Sequence, residues 1–306
     1  MKTREIQVGD LRLGGGNGLF LIAGPCVIES AEACLDIARM LKQICLDAKI
    51  SFIFKASFDK ANRSSLNAYR GPGLKEGLAV LKSIRREMSI PVLTDFHEPS
   101  QAEEVAESVD ILQIPALLAR QTDMLVAAGR AGKPVNVKKG QFMAPGDMAN
   151  VIEKIKSADN VDIMLTERGT SFGYHYLVND MRSLPSMRMY GYPVIYDATH
   201  SVQMPGTQST RGSGGERQFV APLARSAVAA GVDGVFIEVH PYPDQALSDG
   251  ANMLALDNLP KLLSVLLKID ANVRDYIAQE TVLPNREATG RTMIGTVPGS
   301  TGSIPK

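Results

Sequence analysis

The chain has 306 residues, 33 Lys+Arg against 33 Asp+Glu, 44% apolar residues, 3 Cys and no Trp. A formal net charge of zero offers no global basic field for nucleic acid, and no apolar run reaches the roughly 18 residues of a membrane span. Three cysteines cannot complete a disulfide framework, and the first residues (MKTREIQVGD) lack the apolar core of a secretory signal. The expectation is a cytoplasmic protein with an ordinary apolar core.

Residues 3–13 alternate around Gly9-Asp10 and predict a small hairpin. The run GGGNG at 14–18 precedes a strand instead of following one, so it matches neither a dinucleotide fingerprint nor a phosphate loop. Short β-branched runs then recur at 19–24 (LFLIAG), 51–57 (SFIFKAS), 91–97 (PVLTDFH), 111–116 (ILQIPA), 134–140 (PVNVKKG), 162–169 (DIMLTERG), 193–200 (PVIYDATH) and 234–240 (GVFIEVH). Each is too short for a typical helix and apolar in its first half, as a strand buried on both faces must be.

Between these runs the apolar period becomes helical, over 31–48, 74–88, 102–107, 123–131, 147–157, 178–187, 217–230 and 259–269. In the first of them Ala33, Ile37, Met40, Leu41 and Ile44 mark the expected core face, Cys34 and Cys45 read as core residues, and Ser30 is the expected N-cap; Asp147 is the expected N-cap of the fifth. Eight strand–helix units predict an α/β fold, a single (β/α)8 TIM barrel behind a short N-terminal β-hairpin. A doubly wound open sheet shares the same alternation. The barrel with its hairpin is expected over 1–282. Residues 283–306, rich in Gly, Thr, Ser and Pro, predict an irregular or disordered tail.

The second half of nearly every strand turns polar: Lys55 and Ser57, Asp95 and His97, Gln113, Asn136 with Lys138 and Lys139, Glu167-Arg168, Asp197 and His200, Glu238 and His240. A barrel gathers all eight strand C-termini around one cavity. Ions buried there without partners or a task would each cost several kcal/mol, roughly. Lys55, Lys60, Arg63, Lys138 and Arg168 belong to this set, so anionic ligands such as phosphates and carboxylates are expected. The loop KANRSS at 60–65 adds Asn62, Ser64 and Ser65 as phosphate donors. Closure would also make Cys26, His200 and Glu238 neighbours, and Asp249 follows Glu238 in the next loop. Thiolate, imidazole and carboxylates suit a divalent transition ion such as Zn, Fe or Mn. The stretch GTQSTRGSGG at 206–215 is a candidate lid.

Several long motifs carry a resemblance. GPCVIES at 24–30, FKASFDKANRSS at 54–65, TDFHEPSQAE at 94–103, QIPALLARQTD at 113–123, NVKKGQF at 136–142, TERGTSFGY at 166–174, YDATHSVQ at 196–203 and FIEVHP at 236–241 are similar, in order, to the 3-deoxy-D-manno-octulosonate 8-phosphate synthase family. The resemblance implies a TIM-barrel transferase that condenses phosphoenolpyruvate with D-arabinose 5-phosphate and releases phosphate, on the route to Gram-negative lipopolysaccharide. The family has a metal-independent branch with Asn at the position of Cys26. The motifs GPC, DATHS, IEVHP and LSDG resemble the metal-dependent branch, with Cys26, His200, Glu238 and Asp249 as ligands.

By motif, Lys55, Ser57, Gln113, Lys138 and Arg168 would hold phosphoenolpyruvate, with Asp95 also in the substrate site. Lys60, Asn62, Arg63 and Ser64 would hold the pentose phosphate. Lys55, Lys60, Asn62, His200 and Asp249 would take part in the chemistry. Arg120 would reach a neighbouring subunit of a homotetramer. The sister synthase using erythrose 4-phosphate shares fold and metal set, but usually carries a Lys-Pro-Arg-Thr-type loop where this chain has KANRSS. A non-catalytic sugar-phosphate-binding barrel is the alternative from another class.

Overall fold

A computed structural model describes residues 2–63, 65–206 and 214–279. Ser64, most of the 206–215 stretch and the predicted tail at 283–306 lie outside the described residues. The chain opens with an antiparallel hairpin, β1 (Glu5–Val8) and β2 (Leu11–Gly14), in which Val8 pairs with Leu11 across Gly9 and Asp10. Gly9 takes a φ of 55° in that turn, a conformation that favours glycine.

Strand and helix then alternate: β3 (Phe20–Gly24), α1 (Ala31–Ala48), β4 (Ser51–Lys55), α2 (Leu74–Met88), β5 (Val92–Asp95), α3 (Ala102–Ser108), β6 (Ile111–Ile114), α4 (Thr122–Arg130), β7 (Val135–Lys138), α5 (Met148–Lys156) and β8 (Ile163–Glu167). A ribbon of β9 (Thr170–Ser171) and β10 (Leu177–Val178) follows, then α6 (Ser183–Arg188) and β11 (Val194–Asp197). A second ribbon, β12 (Gln203–Met204) with β13 (Gly214–Gly215), precedes α7 (Val220–Ala229), β14 (Gly234–His240), β15 (Leu254–Ala255) and α8 (Leu259–Gln279). No helix among the described residues is long and apolar enough to cross a membrane.

The sheet closes. In space the order runs β11, β8, β7, β6, β5, β4, β3, β14, and β14 returns to pair in parallel with β11, Tyr196 opposite Val235. That pairing decides for the (β/α)8 barrel over the open sheet. Alternation along each strand then sorts the side chains. Leu21, Ala23, Phe54, Leu112, Val137, Leu165, Val194, Val235 and Ile237 face the helical layer. Phe20, Ile22, Ile53, Leu93, Ile111, Met164, Ile195 and Phe236 fill the lower barrel together with Ile6, Val8 and Leu13 of the hairpin. The hairpin thus plugs the barrel floor.

Helix α1 shows why the elements form where they do. Ser30 caps it, its hydroxyl accepting from Ala33 N at 3.1 Å. Its core face differs from the expected one: Cys34, Ile37, Ala38, Leu41 and Cys45 are buried, Met40 is exposed, and Ala33 and Ile44 lie at the margin. The two cysteines as core residues agree with expectation.

Other boundaries move. The sixth helix begins at Ser183, because residues 170–178 form the β9–β10 ribbon instead. The last helix continues to Gln279, ten residues beyond the expected end at 269. Residues 217–219 form a tight 3-10 turn ahead of α7. Asp147 sits at the N-cap of α5 without capping it, since its carboxylate accepts from Ala144 N at 2.9 Å, one turn earlier.

Candidate active site

Above the apolar floor the inward positions become polar. Two residues after Ile53, Leu93, Ile111 and Ile195 come Lys55, Asp95, Gln113 and Asp197, and two after Phe236 comes Glu238, all buried. The same alternation that fills the lower barrel therefore turns these side chains into one cavity at the strand C-termini.

Cys26 enters this cavity from the turn after β3. A Cβ on Gly24 would lie 1.8 Å from the Lys55 carbonyl oxygen, so only glycine lets β3 and β4 approach there. The buried Cys26 Sγ lies 2.8 Å from Ser248 Oγ and 3.6 Å from Asp249 Oδ2. Ligand atoms of Cys26, Glu238 and Asp249 all fall within 4.8 Å of one another. Metal–ligand bonds of about 2.0–2.3 Å place tetrahedral ligand atoms roughly 3.5 Å apart, so this spacing fits one ion.

His200 stands at the edge of this group. Its Nδ1 meets Asp197 Oδ2 at 2.7 Å, and its backbone N–H donates to Asp197 Oδ1 at 2.9 Å. Nε2 is left facing Glu238 Oε2 at 3.5 Å. A carboxylate on one imidazole nitrogen leaves the other nitrogen's lone pair for a metal. Glu238 Oε2 is buried and makes no hydrogen bond among the described residues. The donor set and this open oxygen fit a divalent transition ion.

The cations surround these acids. Lys55 Nζ lies 2.6 Å from Glu238 Oε1 and donates to the Cys26 carbonyl at 2.9 Å. Lys60 Nζ is 3.9 Å from Glu238 Oε1. Arg63 Nη1 donates to Asp249 Oδ1 at 2.9 Å, and its Nη2 donates to Ser248 Oγ. Lys138 Nζ is 2.5 Å from Asp197 Oδ2 and 3.1 Å from the centre of the Phe236 ring. Ser57 donates to Asp95 Oδ1 at 2.5 Å. Gln113 accepts from Asn136 at 3.0 Å. Arg168 follows Glu167, whose Oε1 accepts from the N–H groups of Arg168 and Gly169 at 2.9 and 2.8 Å and pairs with the buried Lys139 at 3.4 Å. Arg63 Nε and Arg168 Nη1 are buried donors without a hydrogen-bond partner among the described residues, an arrangement that asks for a ligand.

Charge is shared unevenly. Burial raises the Cys26 thiol to about 12, reinforced by Glu238. Burial opposes the charge on Glu238, but His200, Lys55 and Lys60 hold it well below the usual carboxylate range. Asp249 is likewise lowered against burial by Arg63 and Lys60, and Asp197 against burial by His200 and Lys138. Lys60 goes up despite burial, because Cys26, Glu238, Asp95 and Asp249 surround it. At Lys138 burial prevails over Asp197 and brings the ammonium down to about 8.

Of the residues expected from sequence, Cys26, Lys55, Ser57, Lys60, Arg63, Asp95, Gln113, Lys138, Arg168, His200, Glu238 and Asp249 line this one end of the barrel. Asn62 is exposed on the turn between Lys60 and Arg63. Arg120 is exposed after β6, its carbonyl accepting from Lys154 Nζ at 3.1 Å, outside the cluster of its own chain. Sequence reasoning left Gln203, Ser248 and the Lys139–Glu167 pair unassigned. Ser248 adjoins Asp249 and Glu167 ends a strand, so both carried a positional signal; Gln203 closes the motif YDATHSVQ, three residues after His200.

A family profile described as DAHP synthetase I family matches residues 2–275. The chain is similar to the 2-dehydro-3-deoxyphosphooctonate aldolase of Citrifermentans bemidjiense, 60% identical over 271 residues, 89% of this chain and 99% of that protein. The proteins of the same name from Geobacter metallireducens and Geobacter sulfurreducens are 57% and 55% identical over 272 residues, 89% of this chain and 100% of each relative.

Proposed function

The chain belongs to the DAHP synthetase I family, and we infer that it condenses phosphoenolpyruvate with D-arabinose 5-phosphate and water, giving 3-deoxy-D-manno-octulosonate 8-phosphate and phosphate for lipopolysaccharide synthesis. The observation that carries this reading is the 60% identity, over nearly its whole length, to a relative named for that eight-carbon product. The barrel mouth supports it, because two phosphate esters and a carboxylate need the cations gathered there.

In the reaction, C3 of phosphoenolpyruvate bonds to the aldehyde carbon of the open-chain pentose. Positive charge develops at C2, water adds there, and the resulting hemiketal phosphate expels phosphate. Lys55, Ser57, Gln113, Lys138 and Arg168 hold the enol phosphate, with Asp95 keeping the Ser57 hydroxyl oriented. Lys60, Asn62, Arg63 and Ser64 hold the pentose phosphate. Holding two anions in contact makes positioning and electrostatics the main source of rate. His200 and Asp249 are the groups placed to move protons beside the aldehyde.

Cys26, His200, Glu238 and Asp249 would hold a divalent Zn, Fe or Mn ion. When bound, such an ion polarises the aldehyde or orients water. A cytoplasmic homotetramer completes the reading, with Arg120 serving a neighbouring subunit. Leu117, Phe142, Phe172 and Tyr176, exposed on the loops after β6, β7 and β8, support an assembly surface.

The alternative is the sister chemistry, with erythrose 4-phosphate as acceptor. A phosphate-release assay with phosphoenolpyruvate and a panel of aldose phosphates separates the two. Turnover is expected with arabinose 5-phosphate; turnover with erythrose 4-phosphate alone would overturn the assignment.

A further inference from the structure

Gln203 opens β12, one residue beyond the 3-10 turn that carries His200. Its backbone is fixed by pairing with Gly215, and Glu216 N donates to the neighbouring Val202 carbonyl at 3.0 Å. Its side chain makes two contacts. Oε1 accepts from Arg168 Nη2 at 2.5 Å, and Nε2 donates to Asp249 Oδ2 at 3.1 Å. Among the described residues Gln203 is the sole side-chain hydrogen-bond partner of the Arg168 guanidinium.

A primary amide carries an acceptor and donors on one planar group. It can therefore satisfy a guanidinium on one side and a carboxylate on the other, which neither an apolar nor a singly functional side chain can do. The bridge uses only one terminal nitrogen of the guanidinium. Arg168 Nη1 is buried and has no hydrogen-bond partner among the described residues. Asp249 Oδ2 accepts from Gln203 and also lies 3.6 Å from Cys26 Sγ, so the amide bears directly on a carboxylate oxygen at the proposed ion site.

We propose that Gln203 is a positioning residue that couples the phosphoenolpyruvate phosphate subsite at Arg168 to the metal-ligating carboxylate of Asp249. The proposal rests on the anion and metal reading given above. An anion that fixes Arg168 also fixes the Gln203 amide and hence the Asp249 carboxylate in its ligating orientation. By linkage, a dication on Asp249 preorganises Arg168 to the same degree.

The test is a double-mutant cycle on Co²⁺ affinity, measured on metal-free protein by competition with a chromophoric chelator. The variants are Gln203→Met, which keeps length and shape without hydrogen bonds, Arg168→Met, and both together. Gln203→Met is expected to weaken Co²⁺ by about tenfold or more, as is usual for loss of an outer partner of a ligand, and to weaken phosphoenolpyruvate binding to the metal-free protein in calorimetry. Arg168→Met is expected to alter Co²⁺ affinity differently in the two backgrounds, because its influence travels through the amide.

If Arg168 acted on the ion by charge alone, its removal would have the same effect with or without Gln203, and that additive cycle would overturn the proposal. So would wild-type Co²⁺ affinity in Gln203→Met. A wild-type protein that takes up no Co²⁺ would overturn the metal reading itself, and the coupling with it. Gln203→Ala, which only removes atoms from a half-buried position, replaces Gln203→Met in the cycle if the latter does not fold.

Discussion

Cys26 is buried among acids and cations, and in the absence of an ion its thiol is raised to about 12 by that burial. Asn is neutral, close to Cys in reach and able to donate a hydrogen bond. Cys26→Asn is therefore expected to fold, to lose affinity for a soft ion, and to keep a measurable turnover that chelation does not touch. Wild-type turnover should fall on exhaustive chelation and return with a divalent transition ion. Phosphate release with and without chelator checks both; a folded but inactive Cys26→Asn would assign the ion a chemical role instead of a positioning one. At Arg63 the guanidinium spans Asp249 and Ser248, while its Nε has no hydrogen-bond partner among the described residues. Arg63→Ala should weaken the aldose phosphate by roughly 1.5–3 kcal/mol, the worth of a hydrogen bond to a charged group, and phosphoenolpyruvate much less. Steady-state constants for the two substrates decide it, equal losses contradicting the assignment. Lys138 has a different signature. Its ammonium falls to about 8, so kcat/KM for phosphoenolpyruvate should decline as pH rises through that value, and Lys138→Arg should move the limb upward. The stability sign is opposite. The unfolded chain holds the Lys138 proton up to its ordinary value while the folded chain has already released it, so between those two pH values this group adds stability as pH rises.

At the level of elements, most barrel strands divide their work along their length. On β4, β5, β6, β11 and β14 the lower inward residue belongs to the floor cluster with the hairpin and the upper one is a polar side chain of the cavity, as Ile53 and Lys55 are on β4. Floor and site are therefore separable by mutation. Ile6 of β1 is fully buried in that floor. Ile6→Ala should cost roughly 2–5 kcal/mol in urea unfolding, the range for deleting a large buried aliphatic group, while kcat stays near the wild-type value. A comparable loss of kcat in a folded variant would show that the plug shapes the site as well. The α1 face illustrates what periodicity can and cannot specify. Ile37 and Leu41 fit two overlapping stripes, one through Met40 and Ile44 and one through Cys34, Ala38 and Cys45. Packing against the barrel buries the second and leaves Met40 exposed.

The whole molecule carries no net charge, yet Lys55, Lys60, Arg63, Lys138 and Arg168 meet at one end of the barrel. Neutrality of the chain and concentration of cations at the mouth together favour small anions over polyanions. Arg120 and the exposed aromatic side chains after β7 and β8 face outward on the same rim. Sedimentation equilibrium is expected to return about four times the 33.0 kDa chain mass. A monomer would remove Arg120 from the site and the rim from any subunit interface.

By itself the sequence determined the eightfold alternation, the hairpin, the Ser30 cap and the polar ends of the strands, because apolar period and capping chemistry act over a few residues. It also named most of the cavity side chains, since a parallel strand that turns polar at its C-terminus has a barrel mouth to turn towards. Closure was beyond it: β11 meets β14 through backbone bonds that any open sheet could have made with another strand. The partners inside the cavity were beyond it too. Arg168, Gln203 and Asp249 are separated by 35 and 46 positions, and no local pattern relates them. Only the tertiary structure decided those contacts, because side chains so distant in sequence are brought within hydrogen-bond reach by the curvature and closure of the sheet.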